Sequence, residues 1–273
     1  MLLRIVSIIF PLFAIVLAGW LYGRRHRPDM ALANQLNMDV FVPALVFAAL
    51  VGKSFDLLGY QALALGGIAV VLGSGALAWP LARLLQVDTK TFVPPMMFNN
   101  SGNMGLPLAV LAFGEAALPA AVVLFLVENL LHFSLGAWML DHRARLSNLW
   151  RSPMMLAALA GLAVSLSGVE LWPPLLTAIR MLGDISIPLL LFTLGVRLAD
   201  ATFQAWGIGL AGAVARPVLG MLIAWGAGPA LGLEAQHQGM LLVFGALPPA
   251  VLNYVFAERY RQEPDKVASI VMV

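Results

Sequence analysis

The chain has 273 residues, 61% of them hydrophobic and 11% charged, with a mean hydropathy of +0.89 and a formal net charge of +2. Soluble domains carry about 25% charged residues, so the composition excludes one and requires an integral membrane protein. Cysteine is absent, which excludes disulfides, thiolate metal sites and cysteine nucleophiles, and there is no basic patch of the kind nucleic acid requires.

The apolar runs reach about 20 residues, the length an α-helix needs to cross the hydrocarbon core, whereas barrel strands would alternate over about ten. The sequence predicts an all-α polytopic membrane protein with nine complete spans, at roughly 2 to 23, 30 to 51, 58 to 83, 91 to 113, 117 to 140, 153 to 170, 174 to 197, 203 to 227 and 237 to 257. The first run contains Arg4 and Pro11 but no small-residue cleavage site, so it reads as a retained helix and not a signal peptide. A tenth apolar run starts at Ala268 and reaches Val273, so the tenth helix is expected to be largely missing from this chain. Connections are short, with no linker and no soluble domain.

Lys and Arg set the expected orientation. The connections after the odd-numbered spans hold Arg24, Arg25, Arg27, Arg83, Lys90, Arg143, Arg145, Arg151, Arg197, Arg259, Arg261 and Lys266, while the other side holds Arg4, Lys53 and Arg180. The positive-inside rule then places the richer side in the cytoplasm and the N-terminus outside. The predicted location is the bacterial cytoplasmic (inner) membrane.

An internal repeat is also legible. DVFVPALVF from Asp39 and DISIPLLLF from Asp184 share Asp, Pro, Leu and Phe at a constant offset of 145, in spans two and seven. Five helices separate the copies, and an odd number inverts the second copy in the membrane. The predicted organisation is two inverted five-helix repeats, residues 1–142 (spans one to five) and 143–273 (spans six to nine and the start of ten).

Candidate chemistry concentrates in FVPPMMFNNSGNMGLPLAVL, Phe92 to Leu111, with its prolines, glycines and asparagines inside an apolar chain. Lipid cannot satisfy freed backbone groups, so such a break survives only inside protein or beside a water-filled cavity, and broken mid-membrane helices are where transporters place their sites. Asn99, Asn100, Ser101 and Asn103 supply amides and a hydroxyl, Pro107 removes a backbone donor, and Asn253 lies in the matching interruption GALPPAVLNYVF. These six are the predicted substrate-binding residues; their plainer role would be hydrogen bonding between neighbouring helices. Asp39, Glu128 and Asp184 lie near mid-bilayer and are the predicted ion-coupling residues, the plainer role being a structural ion pair or a neutral acid. Arg216 is placed deep in span eight to pair with one of these carboxylates or to hold an anion. His132 lies one turn after Glu128 and could extend a proton relay, or be simply hydrogen-bonded; Arg180 reads as snorkelling to the outer interface. Tryptophans 20, 79, 138, 150 and 172 read as interface anchors. No GxSxG, HExxH or phosphate-binding glycine loop is present, and an aspartyl protease built on Asp39 and Asp184 lacks a supporting motif.

These stretches resemble the auxin efflux carrier family, which includes plant auxin exporters and bacterial carriers of malonate or malate. LPPAVLNYVFAERYRQEPDKVASIVMV from Leu247 is similar to the family's ninth helix and the start of its tenth, NNSGNMGLPL from Asn99 to its fourth, GDISIPLLLFTLG from Gly183 to its seventh, and RSP at Arg151 to Pro153 to the entry of its sixth. The resemblance implies ten helices in two inverted repeats, helices four and nine broken and crossing at the substrate site, and elevator-type movement. Asn100 and Pro107 match the fourth-helix motif and Asp184 an acid of the seventh. The chain departs from the plant carriers at Asn253, where they place a proline, and at Glu128, where they tend to a neutral polar residue.

The predicted function is secondary active transport of a small organic anion, a carboxylate, coupled to protons or sodium. No enzyme activity or cofactor is expected beyond a bound sodium ion. Expected partners are the anion, the coupling ion, membrane lipid and a second copy in a homodimer. Two other readings stand beside it: a sodium-coupled transporter like the bile acid sodium symporters, and a non-transporting membrane sensor or assembly subunit.

Overall fold

The computed structural model describes residues 2–51, 58–142, 152–199 and 205–273. Lys53, Arg143, Arg145, Trp150 and Arg151 of the sequence reading therefore lie outside the described residues. Those residues form fourteen α-helices and no strand. In chain order the helices are α1 (Leu2–His26), α2 (Ala31–Leu36), α3 (Val42–Val51), α4 (Gln61–Leu84), α5 (Thr89–Met97), α6 (Leu106–Phe113) and α7 (Leu118–Leu131). They continue with α8 (Ala137–Leu140), α9 (Pro153–Ser167), α10 (Pro173–Ala199), α11 (Trp206–Ala230), α12 (Ala235–Ala246), α13 (Leu252–Arg259) and α14 (Pro264–Met272). Three five-residue segments are π-helical: Asn37–Phe41 and His132–Gly136 interrupt otherwise continuous runs, and Ser101–Gly105 leads into α6.

Local chemistry sets several boundaries. The Asp88 carboxylate accepts from the Lys90 N–H at 2.7 Å and starts α5. The Ser152 hydroxyl accepts from the Met155 N–H at 3.2 Å, with Pro153 in the first turn, and Gly168 at φ +66° ends α9.

Among the described residues, five helical stretches are long and apolar enough to cross a membrane: Ala31–Val51, Gln61–Leu84, Glu115–Leu140, Pro173–Ala199 and Trp206–Ala230. Expected spans four and nine are missing from this set because each is two shorter helices, α5 with α6 and α12 with α13. Pro11, Pro80, Pro188 and Pro217, by contrast, sit inside helices that continue through them. Helix α5 likewise runs through Pro94 and Pro95 and α6 through Pro107, so the interruption of span four at Phe98–Asn100 holds no proline, whereas that of span nine holds Pro248 and Pro249.

The chain divides into two compact units, Met1–Asp56 with Leu106–Val122 and Ser147–Ala201, and Leu57–Gly105 with Val123–Leu146 and Thr202–Val273. Each unit draws on both halves of the sequence, so neither coincides with residues 1–142 or 143–273. In the first unit α1 lies along α10 so closely that a Cβ on Gly19 would come 2.1 Å from the Phe192 carbonyl oxygen, and one on Gly195 would come 2.0 Å from that of Val16. Only glycine allows this approach, a recurrent way to pack membrane helices. In the second unit α11 packs on α4, α5, α12 and α14, and α12 approaches it as closely at Gly220 and Gly245.

Candidate functional site: the crossing of two broken helices

All residues from Thr91 to Asn100 are buried, and the loop-like stretch is thus interior. Helix α5 ends at Met97, the backbone turns extended at Phe98, and the chain resumes as the π-helical Ser101–Gly105. Helix α12 ends at Ala246 and α13 begins at Leu252. The two gaps meet. Asn99 and Pro249 form an isolated antiparallel bridge, in which the Asn100 N–H donates to the Pro248 carbonyl at 2.8 Å and the Ala250 N–H to that of Phe98 at 2.9 Å.

The asparagines complete the accounting. Asn99 Nδ2 donates to the Phe244 carbonyl at 2.7 Å, and Asn253 Nδ2 to those of Phe98 at 3.0 Å and Ala250 at 2.9 Å. Asn100 Oδ1 accepts from the Asn103 N–H at 3.2 Å and caps the resumed helix, while Asn103 is half-buried. Arg216, fully buried in α11, donates from Nη1 to the Gly245 carbonyl at 3.1 Å, placing a positive charge where the carbonyls of α12 run out. Buried backbone polar groups must be paired, and here each break supplies the partners of the other. Asn253, where the plant carriers place a proline, serves the crossing as a donor.

That bonding leaves specific groups over. A carbonyl only accepts, so both amide nitrogens are committed and the oxygens Asn99 Oδ1 and Asn253 Oδ1 are left without a partner, as are Arg216 Nε and Nη2. Among the described residues no carboxylate forms an ion pair with Arg216, so the expected pairing is not made by contact. The buried Glu128 completes the set: Oε1 lies 3.1 Å from His132 Nδ1, and Oε2 accepts from the Ser101 hydroxyl at 3.1 Å. The His132 ring stacks on Phe98 at 4.2 Å and meets Phe256 edge-on at 5.1 Å.

The remaining predicted residues lie in the first unit. Pro107 is buried in α6, Asp39 is exposed in its π-helical segment, and Asp184 is exposed on an unbroken α10. Two adjoining cavities of about 270 and 420 Å³ share Leu45, Glu115, Leu118 and Asp184, with Arg180 on the wall of the larger and Pro107 on that of the smaller. Sequence reasoning passed over Glu115 because it falls in the connection between spans four and five. It also passed over Phe98, whose part is played by its carbonyl and ring face and has no motif. A third omission is the contact of the last connection with span four: the Thr91 hydroxyl donates to Glu263 at 2.6 Å, Gln262 donates to Thr91 at 3.2 Å, and Lys266 pairs with Glu263. The hydrogen bonds from Lys266 and then Thr91 hold the Glu263 carboxyl below its ordinary range.

Residues 143–273 match the family described as membrane transport protein. That match covers the second half of the chain, 131 of its 273 residues. The chain is also 25% identical over 215 residues to a Rhizobium meliloti (strain 1021) protein named "Putative malonate transporter", across 72% of this chain and 67% of that one. The family drawn from the motifs is borne out, and the protein is a transporter and not an enzyme.

Proposed function

We propose that this transporter moves a small organic anion, a carboxylate, through the cytoplasmic membrane by elevator-type alternating access, with the anion held at the crossing of spans four and nine. The observation that carries the reading is Arg216: a fully buried guanidinium with two N–H-bearing nitrogens unpartnered, beside a crossing whose two gaps hydrogen-bond each other. Left so in a membrane interior, those donors are costly, and a carboxylate supplies the two acceptors they fit. Ser101 and Asn103 line the resumed helix, and the half-helix starts at Ser101 and Leu252 add partial positive charge. The relative named for malonate supports a carboxylate as cargo.

Two compact units, each drawn from both sequence halves, support an inverted 5+5 design in which one unit travels against the other. The N-terminus is outside, by the Lys and Arg bias, and the coupling ion is a proton or sodium engaged at Glu128, Asp184 or Asp39. In purified protein returned to lipid vesicles, malonate counterflow should fall about tenfold or more in Arg216→Lys, which keeps the charge and loses the fork. Wild-type rates in that variant, with malonate still the cargo, would sink the assignment.

One observation favours the sodium-coupled reading. Asp184 and Glu115 put two carboxylates on one cavity wall, the oxygen-rich setting a hard cation prefers. Flux that follows a sodium gradient at constant pH and voltage, and that Asp184→Asn abolishes, would decide for it.

A further inference from the structure

We propose that Glu128 and His132 form one buried proton site, and that its proton decides whether the Ser101 hydroxyl is free to donate to the transported anion. The inference rests on the anion being held at the crossing. Glu128 lies in the last turn of α7 and His132 opens the π-helical segment, which brings Nδ1 to 3.1 Å from Oε1 with side chains 1% and 3% exposed. π-Helical segments inside α-helices recur at functional positions. Phe98 and Phe256 enclose the ring, so its polar contact is the carboxylate.

A proton fits this site better than a sodium ion. A hard cation takes a shell of oxygens. Here one carboxylate oxygen faces an imidazole nitrogen and the other a hydroxyl that already donates to it. Charge counting points the same way. Arg216, which acts electrostatically on Glu128, carries one positive charge against one negative. Adding one proton leaves the buried set at plus one, a state the membrane interior penalises until a negative charge joins it. Proton and carboxylate are thereby bound together. Titratable groups on the elements around span five have other partners: Lys90 donates to the Leu140 carbonyl, Tyr254 to Glu258, Arg259 lies over Tyr260 and Arg83 over Trp79.

Ser101 links the proton to the cargo. With Glu128 ionised, its Oε2 consumes the hydroxyl proton of Ser101. When the pair takes up a proton at the carboxyl, the new O–H donates to the Ser101 oxygen, and the Ser101 hydrogen turns to another acceptor in the opened segment Ser101–Gly105. No other bond is made or broken. The anion gains a donor only in the protonated state, so each ligand raises the affinity of the other by the same factor.

Acidifying the purified full-length protein should produce an infrared difference signal, from a protonated carboxyl or an imidazolium, that both Glu128→Gln and His132→Gln remove while the protein stays monodisperse. A signal retained in Glu128→Gln overturns the site. In vesicles, wild-type malonate accumulation should follow an imposed pH gradient, by up to about tenfold per unit for one coupled proton, while Glu128→Gln flux, at whatever rate, is indifferent to it. Ser101→Ala should keep the infrared signal and lose the pH dependence of malonate affinity. pH-driven accumulation in Glu128→Gln, or unaltered pH dependence in Ser101→Ala, overturns the coupling. If malonate and related carboxylates do not move at all while the infrared signal behaves as expected, the proton site stands and the anion reading fails.

Discussion

Glu128 and Asp184 are both carboxylates near the middle of a predicted span, yet their surroundings differ in kind. Glu128 is 2% exposed, with an imidazole on one oxygen and a hydroxyl on the other. Asp184 is exposed, on the wall of a cavity it shares with Glu115 and Arg180. The first carboxylate is tied into the broken-helix crossing; the second sits on a helix that runs unbroken through Pro188. Depth in the membrane is therefore a poor guide to a carboxylate's role, and what its oxygens touch is a better one.

The comparison can be broken most easily through Arg216. Replacing it with Met removes the charge that answers Glu128 and should cost about 3–5 kcal/mol, the usual penalty for stranding a buried charge. Adding Glu128→Gln should recover most of that in thermal unfolding; simply additive losses would separate the two charges. Next in size, Asn99→Ala strips the Phe244 carbonyl of its 2.7 Å donor, leaving it the 3.4 Å bond from Leu247, and should cost about 1–3 kcal/mol.

A smaller effect belongs to Glu263. Its carboxyl is held below the ordinary value of about 4.3 by Lys266 and Thr91. The stabilisation is therefore fully present above that value and is lost as pH falls through the lower folded one. Acid should cost the wild type stability that Glu263→Gln never had, while the two respond alike from neutral pH down to about 5. A difference that grows toward alkaline pH would contradict the sign. Asp184→Asn closes the series, with a change in stability within about 0.5 kcal/mol as expected at an exposed position, read against the same unfolding curve.

Much of the crossing was readable in the residues. Asn99, Asn100, Ser101 and Asn253 stand out because polar residues and prolines in an apolar chain have few places to go, and the structure gathers all four at one junction. Pro107 and Asp39 carried similar signals, yet they belong to the other compact unit. The repeat gave the partner stretch Gly245 to Phe256, but the bridge pairs Asn99 with Pro249, an offset of 150 against the 145 between the Asp39 and Asp184 copies. Register across a helix break depends on where each helix stops, which the surrounding helices decide. Glu263 and Thr91 gave no signal at all, because their contact joins positions 172 residues apart.

Composition alone determined that the chain lives in a membrane, because 61% hydrophobic residues in runs of span length have no other stable solvent. Local residue chemistry determined where helices could break. Only the tertiary structure decided which prolines break them, since Pro188 and Pro217 sit inside helices that run through them while Pro248 and Pro249 stand in the gap between α12 and α13. It also decided which polar atoms are left over at the crossing. A hydrogen-bond account closes only when every donor and acceptor around a site is in place, and here they come from the stretch after α5, from α7, α11, α12 and α13, and from the stretch before α13, far apart in the chain.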